Sequence, residues 1–187
     1  SRNRLFNLVF IGRLVPGKGW FESIQAFNAV APKNEQVKLH IFGSGPESSK
    51  ILEMKEKSPY SERIFIHGAQ PQTDIRAQLS GAVFINPTTL SEGFQTTVLE
   101  AAASAARIVS FSVPGLNEIR QSGALVFEAE DSKDLIDKTI TALSTQPKAL
   151  THENQLSWDW TSRVREFSEL LESQCDPMTQ PQDEEPN

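Results

Sequence analysis

Leu5-Phe6-Asn7-Leu8-Val9-Phe10-Ile11 runs straight into Gly12-Arg13-Leu14-Val15-Pro16-Gly17-Lys18-Gly19, and that turn into Trp20-Phe21-Glu22-Ser23-Ile24. A nearly continuous apolar run bounded by turn residues reads as a strand buried on both faces. Beyond the glycines, Trp20-Phe21, Ile24, Phe27 and Val30 recur at helical spacing up to Pro32, which is expected to stop the helix. Strand, glycine-rich turn and helix in that order begin a βαβ unit.

The same alternation repeats along the chain. Strand two is expected at Val37 to Phe42, a turn at Gly43-Ser44-Gly45-Pro46, a charged helix over about 47–57, and strand three at Arg63 to His67. A short helix near 74–80 leads to strand four, Ala82 to Asn86, which Pro87 ends. An Ala-rich helix over about 96–106, strand five at Ile108 to Phe111, a helix from Pro114 to Ile119, strand six at Leu125 to Phe127 and a helix capped by Asp131 and reaching Leu143 complete the pattern. Six strands with intervening helices predict an α/β, Rossmann-like three-layer domain around a mainly parallel six-stranded sheet. After Pro147, Trp158, Trp160, Val164, Phe167, Leu170 and Leu171 are spaced for one more packed helix, and residues 176–187 are a Pro, Gln and acid tail expected to be disordered.

Composition excludes several classes. The 187 residues carry 18 Lys plus Arg against 24 Asp plus Glu, a net charge of -6, with 38% hydrophobic residues, so a packed core is attainable and global disorder is not expected. Asp176, Asp183, Glu184 and Glu185 account for most of the excess acid, which leaves no basic surface of the kind that binds nucleic acid. Cys175 is the single cysteine, so no internal disulfide framework or clustered-thiolate site can form, and a reducing compartment fits. No apolar run reaches membrane-span length. The opening Ser1-Arg2-Asn3-Arg4, without Met or signal region, reads as a piece of a longer chain.

In a doubly wound sheet, ligands bind at the carboxyl ends of the strands, so the loops carry the function. Three glycines and two cations, Arg13 and Lys18, precede a helix N-terminus in the loop after strand one, an arrangement suited to a diphosphate. It lacks the spacing and hydroxyl residue of a Walker A loop. The alternative is a glycine-rich turn with solvated cations. In the loop after strand four, Ser91-Glu92-Gly93-Phe94-Gln95-Thr96-Thr97 opens a helix that carries Glu100. Carboxylates can accept from the vicinal hydroxyls of a sugar while helix N-terminal amides meet an anion. Alternatively, each acid favours the helix N-terminal half electrostatically.

Together with Leu39-His40-Ile41-Phe42-Gly43-Ser44-Gly45-Pro46, Ile64-Phe65-Ile66-His67-Gly68, Leu99-Glu100-Ala101, Pro114-Gly115-Leu116-Asn117-Glu118-Ile119 and Leu156-Ser157-Trp158, these loops resemble the C-terminal, nucleotide-binding half of the family 4 retaining glycosyltransferases with a GT-B fold. The resemblance covers about residues 5–172. It implies that Arg13 and Lys18, beside Gly12, hold the donor diphosphate and stabilise the charge that builds on it as the glycosidic bond breaks. It implies further that Glu92 faces the transferred sugar, that Glu100 holds the ribose hydroxyls, that the amides of Gly93, Phe94 and Gln95 lie near sugar and phosphate, and that Gly68 and Ala69 border the base. No cofactor and no divalent metal are implied, the nucleotide-diphosphate sugar being the donor substrate. Residues 1–175 would form the donor domain of a hexosyltransferase-type enzyme, whose N-terminal acceptor-binding domain is absent from this chain; alone, the chain is expected to bind donor weakly and transfer little sugar. Relatives that build polysaccharide or glycolipid imply a cytoplasmic protein, with peripheral membrane contact through the missing half. A non-catalytic nucleotide-sugar-binding module and a related GT-B enzyme such as a nucleotide-sugar epimerase are the competing readings.

The chain departs from the family at four places. Gln95 stands where a glycine is usual, and its side chain is expected where sugar or phosphate approaches. Ala105 and Arg107 replace Gly and Pro and read as packing and turn changes, and Ala82 replaces an Asp, a lost structural acid. His40 reads as a core or edge histidine, His67 as a neighbour of the base site and His152 as surface; three scattered histidines make a metal site improbable.

Overall fold

The computed structural model describes residues 6–93 and 95–148; Phe94, the helix expected around Trp158, the domain end at 175 and the acidic tail lie outside them. Six strands, β1 (Asn7–Ile11), β2 (Lys38–Phe42), β3 (Ile64–Gly68), β4 (Val83–Asn86), β5 (Arg107–Ser110) and β6 (Val126–Glu128), alternate with α1 (Trp20–Val30), α2 (Ser48–Glu56), α3 (Gln72–Leu79), α4 (Thr96–Ala103), α5 (Leu116–Gln121) and α6 (Ser132–Ser144). Every neighbouring strand pair is parallel, in the order β3-β2-β1-β4-β5-β6. The Rossmann-like sheet expected from the sequence is present. Pro32 does not extend α1; it sits in a 3-10 turn, Ala31–Lys33, where its missing N–H leaves no helical bond unmade.

Alternation sorts the strand residues onto two faces. Leu8, Phe10, Leu39, Ile41, Val83 and Ile85 join Ile24 and Phe27 of α1, Ile51 of α2 and Leu135 of α6 in one apolar core. α1 contacts both α2 and α6, and α4 contacts both α3 and α5. Because β1 is flanked by β2 and β4, the chain reverses its winding between β1 and β4, which opens a crevice beyond their carboxyl ends. The two loops that border this crevice are the Arg13/Lys18 loop and the Glu92 loop.

Two of the unusual residues have structural explanations. α4 ends at Ala103 rather than near 106, because Ala106 N–H donates to Ala101 O at 3.0 Å and Ala105 N–H to Ala102 O at 3.1 Å, the two bonds of a Schellman turn. That turn needs a left-handed residue, and Ala105 takes it at φ 57°. Left-handed backbone costs an L-residue roughly 1–2 kcal/mol, and glycine's freedom when unfolded returns about half of this, so Ala105→Gly should raise stability by about 0.5–1 kcal/mol. Chemical denaturation of the two proteins checks it; an unchanged or lower midpoint contradicts it. Arg107, fully buried at the start of β5, donates from Nη1 to the carbonyls of Ala142 at 2.8 Å and Thr145 at 2.7 Å, and from Nη2 to Gly81 O at 3.0 Å. Its fork fills the carbonyl end of α6, where a cation also suits the helix dipole, while burial lowers its pKa to about 10.

Candidate functional site at the β1/β4 crevice

Three loops are pressed together backbone to backbone here. Gly12 N–H donates to Phe42 O at 3.0 Å, Leu14 N–H to Ser44 O at 3.0 Å, Glu47 N–H to Leu14 O at 3.0 Å and Thr89 N–H to Gly17 O at 2.8 Å. A Cβ on Gly45 would lie 2.5 Å from Leu14 O, and one on Gly19 2.8 Å from the Pro87 backbone. The amides of Gly12, Leu14, Val15 and Lys18 are thus committed to the fold. What Gly12 supplies is space: a Cβ there would stand 3.0 Å from Lys18 Cε. The Lys18 stem lies across the α-carbon of Gly12, and the residue is only 8% exposed.

Lys18 Nζ reaches Glu92 Oε2 at 2.5 Å, 74 residues away in sequence, and Arg13 Nη2 lies 4.0 Å from Glu92 Oε1. Three of the four charged residues singled out from the sequence, Arg13, Lys18 and Glu92, therefore meet at one place. Their exposures differ: the Arg13 side chain is 73% exposed and that of Glu92 25%. At that distance and exposure the Arg13 contact contributes little by itself. Gln95, expected to project toward sugar or phosphate, is turned inward and 7% exposed; its Nε2 donates to Glu92 Oε2 at 3.0 Å and its Oε1 accepts from Asn86 Nδ2 at 2.8 Å. Gly93 has open space around its α-carbon, as does Gly68.

Helix ends complete the mouth. α1 starts after Gly19 and α4 after Gln95, neither with a side-chain cap, whereas α6 is capped by Asp131, whose Oδ1 accepts from Lys133 and Asp134 N–H at 2.8 Å each. Uncapped first-turn amides are ready donors to an anion. Glu100, on α4, is not joined to the Lys18–Glu92 pair; its carboxylate accepts from Gln72 Nε2 at the start of α3. Ala69 is exposed beside Gly68, whose carbonyl accepts from Gly43 N–H at 2.8 Å.

Sequence reasoning missed Gln72, Asn86 and the Trp20–Glu47 pair. Trp20 Nε1 donates to Glu47 Oε2 at 2.9 Å, and Lys50 Nζ to Oε1 at 2.8 Å; Lys50 and Trp20 hold this carboxyl below its usual range. Glu47 follows Gly-Pro, which marks a turn but not a buried acid. Two hollows flank the site without being lined by Lys18 or Glu92. One of about 570 Å³ lies beside Trp20, Phe21 and Met54, and one of about 670 Å³ beside Thr88, Phe111 and Glu128.

His40 and His67 form a pair that the sequence only hinted at. His40 Nδ1 and His67 Nε2 are 3.0 Å apart, inside a column of nearly parallel rings with Phe65 and Phe42. His40 Nε2 is buried without a partner among the described residues, so the neutral tautomer with Nδ1–H donating to His67 fits the site. Burial, then the charges of His67 and Lys38, lower the His40 pKa to about 4, and burial lowers that of His67. The unfolded chain then binds more protons than the folded one below about pH 6.5. Stability is full above that pH and declines as it falls toward 4. Between pH 6.5 and 5 the loss should be about 1–2 kcal/mol, the partly exposed rings limiting it. Thermal melts of wild type and His40→Phe check this: the variant should lose less on acidification, and parallel losses contradict it.

Among the described residues, no three His, Cys, Asp or Glu side chains gather as a metal-ligand group, and no helix is long and apolar enough to cross a membrane.

Residues 6–145 match the family model described as Glycosyl transferases group 1. The chain belongs to that family. It is 29% identical over 161 residues to a phosphatidylinositol N-acetylglucosaminyltransferase subunit of Arabidopsis thaliana, covering 83% of this chain and 36% of that protein. To digalactosyldiacylglycerol synthase 1, chloroplastic, of Glycine max it is 32% identical over 165 residues, covering 86% and 20%. The pneumococcal O-GlcNAc transferase GtfA, solved in complex with UDP and GlcNAc, superposes with a TM-score of 0.72 at 18% identity over 90% of this chain and 35% of that one, a likeness of fold. The chain spans about a third of the length of the first of these relatives.

Proposed function

We propose that this chain is the donor-binding half of a retaining glycosyltransferase that transfers a hexose from a nucleoside-diphosphate sugar. The observation that carries the reading is the meeting of Lys18, Arg13 and Glu92 at the β1/β4 switch point, beside the uncapped ends of α1 and α4. Lys18 and Arg13 take the diphosphate. As the bond between the sugar's anomeric carbon and the β-phosphate oxygen breaks, negative charge grows on the leaving diphosphate, and cations fixed beforehand stabilise it. Glu92 faces the sugar hydroxyls, Glu100 the ribose, and Gly68 and Ala69 the base; no metal is required. Retention follows the family resemblance. The relatives' names, a GlcNAc transferase of phosphatidylinositol and a galactolipid synthase, make a glycolipid acceptor at a membrane face the first to try.

Acceptor contacts and the far wall of the cleft would come from a second Rossmann-like domain. The chain alone therefore binds donor weakly and transfers little sugar. Calorimetry with UDP, GDP, ADP and UDP-glucose, without added metal, tests the reading: one base should bind saturably, and Arg13→Ala and Glu100→Ala should each weaken it several-fold. A folded sample that binds none of the four overturns the proposal.

A further inference from the structure

Gln95 occupies a position where the family resemblance leads one to expect glycine, yet nothing about its setting is incidental. Its amide is the middle link of a chain of hydrogen bonds that starts in the core and ends on the charged mouth. Ser110 Oγ donates to the Phe111 carbonyl at 2.7 Å, Asn86 Nδ2 donates to Ser110 Oγ at 3.1 Å and to Gln95 Oε1 at 2.8 Å, and Gln95 Nε2 donates to Glu92 Oε2 at 3.0 Å. Ser110 and Asn86 are fully buried and Gln95 nearly so, so the chain has no water to exchange with along most of its length.

Direction matters more than length here. Asn86 gives one amide hydrogen to Ser110 Oγ and the other to Gln95 Oε1, which leaves the Gln95 amide only one orientation, with its own N–H pointing at Glu92. Glu92 Oε2 then receives two donors, Gln95 and Lys18, and is pinned between them, while Oε1 is left toward Arg13 and the open mouth. Glycine at position 95 could not do this. Glu92 would be held by Lys18 and the long 4.0 Å contact of Arg13, the two groups that a diphosphate also draws on.

We infer that Gln95 is a positioning residue that holds Glu92 in place for the sugar of the donor, independently of Lys18, so that sugar recognition survives when phosphate draws on Lys18. The inference rests on the donor-site reading above. It assigns Gln95 to the sugar increment of binding, the ratio of affinity for a nucleoside-diphosphate sugar to that for the bare nucleoside diphosphate. It leaves the diphosphate contacts alone.

Ligand-observed NMR titration of the 187-residue chain with UDP and UDP-glucose, or with the base that binds, measures that ratio for weak complexes. Gln95→Met is near in shape and removes both hydrogen bonds. Gln95→Glu keeps the acceptor for Asn86 and replaces only the donor with a charge facing Glu92, so it separates the link to Glu92 from packing. Gln95→Met should keep diphosphate affinity within about 2-fold while the sugar increment falls at least about 5-fold, and Gln95→Glu, which sets a second charge beside Glu92, should lower the increment further. In a Glu92→Ala background the Gln95 substitutions should have no further effect on the ratio, since the carboxylate they act through is gone. Equal losses for both ligands in Gln95→Met, an unchanged ratio, or additivity with Glu92→Ala in folded samples overturns the assignment of Gln95 with the donor site intact. Failure of wild type to bind either ligand overturns the donor-site reading and this inference with it.

Discussion

Lys18→Ala is expected to weaken nucleoside-diphosphate binding by about 10–100-fold, the worth of one charge-assisted hydrogen bond in a partly enclosed site. The magnitude follows from how Lys18 is held. Its stem is clamped under Gly12 and its ammonium is already positioned by Glu92, so little side-chain entropy is lost when phosphate arrives. Arg13 is the contrast. At 73% side-chain exposure it must be ordered on binding and is screened by salt, so Arg13→Ala should cost less than Lys18→Ala. Lys18→Met, which keeps the stem over Gly12 without the charge, should match Lys18→Ala in binding while melting like wild type. Titration of the three variants measures this; a Lys18→Met protein with wild-type affinity would place the anion elsewhere.

Gly43→Ala should cost about 3–5 kcal/mol, from forbidden backbone and forced overpacking together. At φ 138° the residue sits in a region open almost only to glycine, and its Cβ would lie 1.8 Å from Gly12 O. Neither backbone can step aside cheaply. Gly12 N–H is bonded to Phe42 O at 3.0 Å and Gly43 N–H to Gly68 O at 2.8 Å, so any shift breaks the ladder at the carboxyl ends of β1, β2 and β3 together. A loss of that size approaches the whole stability of a typical domain. Gly93→Ala is the control, with open space and no left-handed backbone, and should stay within about 0.5 kcal/mol. Urea denaturation of the two variants checks the pair; a Gly43→Ala midpoint near wild type contradicts the close approach of Gly43 to Gly12.

How much of this could be read in advance follows from the range of the interactions. Strand, loop and helix order came through because buried runs such as Leu8 to Ile11 and turns such as Gly43 to Pro46 are local signals. Helix ends were less legible. The end of α4 depends on a Schellman turn at Ala105, where the expected glycine is missing, and the start of β6 fell one residue later than its apolar run suggested. For the site, the residue types were visible but their partners were not. Nothing near Lys18 names Glu92, and Glu100 could not be seen to meet Gln72, 28 residues away. Gln95 stands out as a substitution, but its inward turn depends on Asn86, whose side-chain direction is set by strand register.

The most direct test of the donor site is backbone amide NMR of the chain titrated with its preferred nucleoside-diphosphate sugar. Shifts should concentrate in residues 12–19, 68–69 and 92–100, and Lys18→Met should move them to about 10–100-fold higher ligand concentration. Shifts confined to the hollow beside Thr88, Phe111 and Glu128, or unchanged by Lys18→Met, would contradict it.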